Sequence, residues 1–426
     1  MVKWLIVTNF VVYQTTKKMT KNPLNQYTDI CRDAIKSPSA KLSKTFENLL
    51  MEILLLHMVI QGKINFTQME RYGSHDEQTY RSNFGLKKSK CIDWLKLNVA
   101  LADRYFDQPG RKAIAIDPSY ISKAGKKTPH VGNFWSGCAG AVKHGLEIMG
   151  IGLIDIDAHD CIMLRAHQTP NSKELNLRSK SMVEHYISVI KRYRKDLLKL
   201  STLIVADAYF STSTFANGIK EHGFSLISRF RDNACLHYVY NGPRTGKRGR
   251  PKVKDGKIDM KKLDYTRMEK MEMESEEGTA YTLIAYSKAL KCKVRLVIWQ
   301  MPNGKKKLFF SNDITLSGEE VLLFYRTRFQ IEFCFRDAKT YTGLTHCQAR
   351  NYRKLDFAFN ASFASLNVAK VMMREIGMDY SMSSFKSLMT STYLVKRIFK
   401  VCGYSPNRNL ISKIFKELSC LQRKAA

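Results

Sequence analysis

Apolar positions from about Ser43 to Asp103 recur at helical intervals, and Gly62, Gly73 and Gly85 supply stops, so this stretch predicts a domain of short helices. Within it, NFTQMERYGSHDEQTYRSNF has the length and central glycine of a helix-turn-helix whose second helix begins near Ser74 and presents Gln78, Tyr80 and Arg81. An ordinary helical hairpin accounts for the same pattern. After Pro109 the period changes: RKAIAID, SGCAGAVKHG and LEIMGIGLIDID are short apolar or alternating runs that predict three successive antiparallel strands. A helix from about Ser172 to Leu198, the strand STLIVAD, a helix from about Ser211 to Glu221 and the strand FSLISRF follow, giving the order βββαβαβ of a mixed α/β sheet. Between about Asn233 and Asp313 a basic, glycine-rich loop, an acidic stretch and the strands YTLIAYS, KVRLVIWQ and KKLFFSN read as a β-rich insertion. A helical run then begins at Ser317, with further helices at about Lys354 to Ile376 and Ser383 to Val401, and no internal repeat occurs.

The helical run contains YRTRFQIEFCFRDAK, which places Tyr325, Arg328, Glu332 and Lys339 at relative positions 0, 3, 7 and 14. At about 100 degrees per residue these side chains fall within roughly 60 degrees of one another on one continuous helix. Leu323, Cys334 and Ala338 would lie on the far side, with Ile331 at its edge. A carboxylate flanked by two cations and a phenol suits the handling of a metal-bound phosphate.

Composition adds a partner. Lys and Arg number 70 against 38 Asp and Glu, a formal charge of +32 spread along nearly the whole chain, which a short basic tail does not explain and a polyanion such as nucleic acid would neutralise. With 426 residues, 44% of them hydrophobic, the chain can bury a large core, so disorder as a whole is excluded. Its ten cysteines contain no CxxC and read as reduced core residues, in agreement with a cytoplasmic location. The apolar run from Trp4 to Tyr13 is interrupted by Thr8 and Asn9 and lacks a cleavage site, which argues against a signal peptide, and Met19 is an alternative first residue. The run from Leu49 to Ile60 is too short to span a bilayer.

Asp117 ends the strand AIAID and Asp207 ends LIVAD, each directly after four apolar or small residues. The predicted order sets these strand ends side by side at the sheet centre, where open α/β sheets gather ligands. With Glu332 they are three oxygen donors of the kind Mg²⁺ accepts, and two such ions about 3.5 to 4 Å apart can hold the attacking and leaving oxygens of a phosphodiester.

Tyr325, Arg328, Glu332 and Lys339 match the YREK signature of the DDE transposases of the insertion-sequence-four family; ADAYF around Asp207 resembles that family's second-aspartate motif, IDPSYISKAGKKT its first, and GLTHCQAR its sequence after the helix. The resemblance covers roughly Ala113 to Arg350. It implies a ribonuclease-H-like catalytic domain (109–232 and 314–352) and a β-rich insertion (233–313); the flanks, a helical DNA-binding domain (1–108) and a C-terminal helical region (353–426), are read from their helical spacing and match the family only in character. It also implies two Mg²⁺ or Mn²⁺ ions held by Asp117, Asp207 and Glu332, and phosphates bound by Tyr325, Arg328 and Lys339. The activity it implies is cut-and-paste transposition by a nucleoid-associated bacterial homodimer acting on terminal repeats and target DNA, through nicking, a hairpin, and joining of 3′ hydroxyls. By the same resemblance Trp299 would stack on a flipped base, with packing in an apolar strand as its alternative role. RGRP, with Arg248 and Arg250, is similar to a minor-groove hook, or serves as a basic loop touching phosphates. Two other readings stay open: a related nuclease or recombinase without strand transfer, and a non-catalytic DNA-binding protein derived from a transposase. Asp157 is the reserve candidate for the first acid.

Overall fold

The computed structural model describes residues 22–36, 42–85, 92–243, 251–272, 278–377, 381–407, 409–411, 413–414 and 417–418. The run Trp4 to Tyr13, Met19, Arg248 and Arg250 lie outside them. The helices α1 (Pro23–Lys36), α2 (Lys44–Val59), α3 (Phe66–Tyr72), α4 (Glu77–Asn83) and α5 (Trp94–Tyr105) come first. Ser43, Asn65, Asp76 and Asp93 start the last four by accepting a hydrogen bond from an amide that the first turn leaves unpaired. The pair α3–α4 is therefore a helical hairpin by local chemistry. Gln78 and Arg81 are exposed on it, but Tyr80 is fully buried, so the expected presentation of Tyr80 does not occur.

The sheet begins with β1 (Lys112–Ser122), β2 (Gly132–Ser136), β3 (Ala141–Asp155) and β4 (Asp160–Gln168). Four strands thus stand where three were expected. Gly145 does not end a strand as anticipated: β3 runs through it because the strand passes so close to Tyr120 and Ile121 that a Cβ there would collide with them. The helical region that follows is two helices rather than one, α6 (Ser172–Leu177) and α7 (Met182–Leu197), each opened by its own capping box, Asn171 with Glu174 and Ser181 with Glu184. Next come β5 (Leu203–Val205), α8 (Ser213–Lys220) and β6 (Ser225–Arg229), then β7 (Leu236–Val239), β8 (Lys254–Lys257), β9 (Glu269–Met271), β10 (Thr279–Ser287), β11 (Cys292–Gln300) and β12 (Lys306–Ser311). The chain continues through α9 (Gly318–Thr327), α10 (Gln330–Tyr341), α11 (Tyr352–Ile376) and α12 (Met382–Val401).

All the strands join one sheet of order β2-β3-β1-β5-β6-β12-β11-β10-β7-β8, with β4 on β3 and β9 on β10. Strand β1 is antiparallel to β3 and parallel to β5, and β5 is parallel to β6. This is the mixed, ribonuclease-H-like core with flanking helices. Because β12 pairs with β6, placing Phe309 opposite Arg229, the segment from β7 to β12 extends the same sheet.

Alternation along β1 divides two cores. Ile114 and Ile116 pack on the side of α7 and α8, whereas Ala113 and Ala115 face the core built with α10 and α11. Helix α11 also closes the free edge of β4. Asn360 Oδ1 accepts from the Ala166 amide at 2.9 Å and Asn367 Nδ2 donates to the Met163 carbonyl at 2.7 Å, so polar residues inside a buried helix satisfy a sheet edge. No helix among the described residues is long and apolar enough to cross a membrane.

Candidate active site

Register carries two of the acids to one place. Ile114 pairs with Ile204 and Ala115 with Val205, so Asp117 and Asp207 each stand two residues beyond the same paired position on neighbouring parallel strands. Both continue the parity of the face turned toward α10: Ala113, Ala115, Asp117 on one strand and Val205, Asp207 on the other. Asp207 also caps a single 3-10 turn, its Oδ1 accepting from the Tyr209 amide at 3.0 Å, and its carbonyl accepts from Ser228 at 2.8 Å.

Glu332 comes from α10, but the expected single helix through Tyr325 and Lys339 is broken. Arg328 and Phe329 separate α9 from α10, and the bonds there tighten to three-residue spacing, Ile331 N–H to the Arg328 carbonyl and Glu332 N–H to the Phe329 carbonyl. The regular 100-degree step does not hold across such a joint. Ile331, Cys334 and Ala338 are buried as anticipated, whereas Leu323 is 42% exposed, contrary to the expected apolar face.

Arg328 lies at the joint, its side chain only 10% exposed. Its Nη1 lies 3.8 Å from Asp117 Oδ1, and Nη2 donates to Glu332 Oε1 at 2.7 Å. Asp117 and Glu332 are therefore within the span of one guanidinium. Burial pushes the Asp117 carboxyl up to about 7; Arg328 opposes the shift, and the charges of Asp207, Glu332 and Glu147 add to it. Burial also raises Asp207, against the pull of Arg328, the Tyr209 amide, Arg229 and Arg231.

Among the described residues no group of three or more His, Cys, Asp or Glu side chains closes into a metal cage, and Arg328 stands between two of the acids. The donor set itself fits hard divalent ions: all oxygen, mutually repelling, and in so dry a place that one carboxyl resists ionisation. Arg328 has two buried nitrogens, Nε and Nη1, without a hydrogen-bond partner.

The other expected residues take separate places. Lys339 donates to Ser119 Oγ at 2.9 Å and to the Tyr120 carbonyl at 3.1 Å, which ties α10 to β1 just beyond Asp117, and burial lowers its pKa. Tyr325 is half-buried against Phe309, ring centroids 4.8 Å apart, with the Arg328 guanidinium 5.6 Å from its ring. Trp299 is partly buried beside Phe309, with Lys307 and Arg326 over its ring at 5.4 and 5.9 Å. Asp157 is committed elsewhere, holding the Arg111 guanidinium and amide on the surface.

Sequence reasoning missed Arg229 and Glu147. Arg229 closes β6 beside Asp207 and Tyr325, and its buried Nε has no partner. Glu147 is buried on β3 and accepts a 2.5 Å hydrogen bond from Tyr186. A charged residue inside an apolar strand run was the available signal for Glu147, and an Arg directly after LIS for Arg229.

Residues 43–288 match a family described as DDE superfamily endonuclease, a span that contains Asp117 and Asp207 and ends before Glu332. No curated protein matches the chain.

Proposed function

Because the chain belongs to the DDE endonuclease superfamily, we propose that it is a DNA transposase of the insertion-sequence-four type, a homodimer that pairs two terminal repeats and inserts them into target DNA. The observation that carries this reading is the common address of Asp117 and Asp207 on adjacent parallel strands, facing Glu332 across Arg328.

Asp117, Asp207 and Glu332 would hold divalent ions, two Mg²⁺ or Mn²⁺, which when bound neutralise charge and orient the attacking and leaving oxygens. Loading requires Arg328 to loosen its grip on Asp117 and Glu332. Its planar fork, with two donors already unspent, then suits a phosphate in exchange for a carboxylate. Lys339 has committed donors to Ser119 and Tyr120, so it holds α10 in register with β1 and offers its remaining N–H to a phosphate. Tyr325 presents a hydroxyl next to Arg328, and Trp299 lies on the same flank through Phe309. Nicking, hairpin formation, reopening and end joining are each an in-line attack of water or a hydroxyl on phosphorus. Positioning therefore suffices, without a covalent enzyme intermediate.

The test is incubation of the purified chain with linear DNA carrying its element's ends, Mg²⁺ and a target plasmid, followed by product sizing. Wild type should yield cut and joined products; Asp207→Ala and Glu332→Ala should lower cleavage about a thousandfold or more while end binding persists. Wild-type cleavage by both variants would sink the assignment. Cleavage without joining would favour the nuclease reading, and binding without cleavage the non-catalytic one.

A further inference from the structure

A cavity of about 520 Å³ lies between the α3–α4 hairpin and the loop 342–351 that follows α10. It has no assigned role and uses none of the three acids. Its walls have two characters. Phe66, Met69, Phe84 and Ala358 supply an apolar side, with the rings of Phe66 and Phe84 edge to face at 5.0 Å. Lys63, Arg81, Arg350 and Lys354 supply cations, and no carboxylate lines the cavity among the described residues. Arg81 is ion-paired with Glu77 and lies 5.4 Å from the Phe66 ring; no acid pairs with the other three among the described residues.

The buried side contains His57, 3% exposed. Its Nδ1 is 2.8 Å from the Thr342 carbonyl, which can only accept, so Nδ1 carries the proton. Burial pushes its pKa down to about 4, which leaves Nε2 an unprotonated acceptor at neutral pH, and that buried atom has no partner. An orphan acceptor beside a cavity calls for a ligand that brings a donor. The adjoining wall is built tightly. Gly343, at φ +71°, has no room for a side chain against Ile64 and His346, and the Ile64 amide donates to His346 Nδ1 at 3.0 Å.

We infer that this cavity binds a nucleotide, its base against the Phe66 ring, which Phe84 backs edge-on, with a ring or exocyclic N–H directed to His57, and its phosphate on Lys63, Arg350 and Lys354. A bare phosphate would leave the aromatic side and the His57 acceptor unused. An uncharged ligand would leave the cations unused. The site lies beyond the C-terminal end of α10, which is about 14 Å along the helix axis from Glu332. Lys123, at the end of β1, fastens it by donating to the Thr345 and Cys347 carbonyls. A DNA strand leaving the candidate active site is one source of the nucleotide, which rests on the proposed function; a free mononucleotide is the other.

Hydrogen exchange of the full chain without divalent ion separates these. Deoxyadenosine monophosphate, deoxyribose 5-phosphate, inorganic phosphate and a short single-stranded oligonucleotide are titrated while protection of 63–69 and 343–351 is followed. The nucleotide should protect both segments at a concentration at least about tenfold below that needed for the sugar phosphate, the range expected of base–aromatic stacking. Phe66→Leu should remove the preference for the base, and Arg350→Gln should weaken both ligands. An oligonucleotide that protects tenfold more tightly than the mononucleotide identifies a DNA strand as the source; equal protection identifies the free nucleotide. Equal protection by inorganic phosphate and nucleotide, or protection that Phe66→Leu and Arg350→Gln leave unchanged, would overturn the site. Because cleavage is not the readout, that failure is distinct from failure of the three acids.

Discussion

The Asp117 carboxyl is raised to about 7 by burial, restrained by Arg328 and pushed further by Asp207, Glu332 and Glu147. In the unfolded chain the same group titrates near 3.9. Between about pH 4 and 7 the folded state therefore keeps on this group a proton that the unfolded state has lost, and without metal its contribution to stability falls as pH rises through that window. His57, His167 and His185, whose pKa values burial lowers, contribute the opposite slope below about pH 6.5, so the Asp117 share is read as a difference between two proteins. The melting temperature of Asp117→Asn relative to wild type, without metal, should rise from pH 5 to 7.5, to a stabilisation of about 2 kcal/mol at pH 7.5, an order-of-magnitude figure. Divalent ions compete with that proton, so Mg²⁺ affinity should weaken up to about tenfold per unit below pH 7. Melts of both proteins with and without Mg²⁺ across this range check both, and a difference between them that does not change with pH would refute the desolvated acid. Asp117 and Asp207 were legible because each follows four apolar or small residues on a strand. The partner of Asp117 was not, because Arg328 reaches it from a position 211 residues away in sequence.

Helix α10 lies close to β3 because the strand carries glycine where the helix crosses it. A Cβ on Gly150 would stand 2.5 Å from the Phe335 ring, and one on Gly152 would stand 3.4 Å from Ile331 Cδ1, both on α10. Gly150 is also the β3 residue paired with Asp117, so spacing on that strand sets how far Glu332 stands from the first acid. Gly150→Val should cost about 1–3 kcal/mol by overpacking, lower the melting temperature, and depress cleavage more than the lost folded fraction explains. Cleavage normalised to folded protein distinguishes this from plain destabilisation. Gly150 and Gly152 stood inside one expected strand, but the sequence does not say why they are glycines, since a missing side chain looks the same whether the chain turns or another element approaches. Strand β4 escaped notice for a related reason. Arg165 and His167 interrupt its apolar run, and Asp356 on α11 and Arg192 on α7, which bond them, are visible only after folding. The joint at Arg328 and Phe329 was hidden because both residues keep helical dihedrals while the bonding tightens.

At the scale of the molecule, many of the 38 acids are already spent on internal cations. Asp356 holds Arg165, Asp160 holds Lys370, and Glu375 with Asp33 holds Arg104. The excess of +32 is thus left to cations that face outward, such as Lys63 and Arg350 at the cavity mouth. The sign of the partner was legible from composition alone; which cations meet it was not, because that depends on the faces the fold turns outward. Each phosphate neutralised releases condensed counterions, so DNA affinity should fall linearly on logarithmic axes as salt rises, by about a thousandfold between 50 and 200 mM for six or more contacts. Asp207→Ala removes no phosphate contact and should keep the slope, whereas Arg350→Gln should reduce it by about one. Filter binding of end-bearing and unrelated duplexes over that salt range measures both. If the slope were shallow, the positive excess would not be working on phosphates, and a chain that repels itself this strongly would need some other polyanion to account for it.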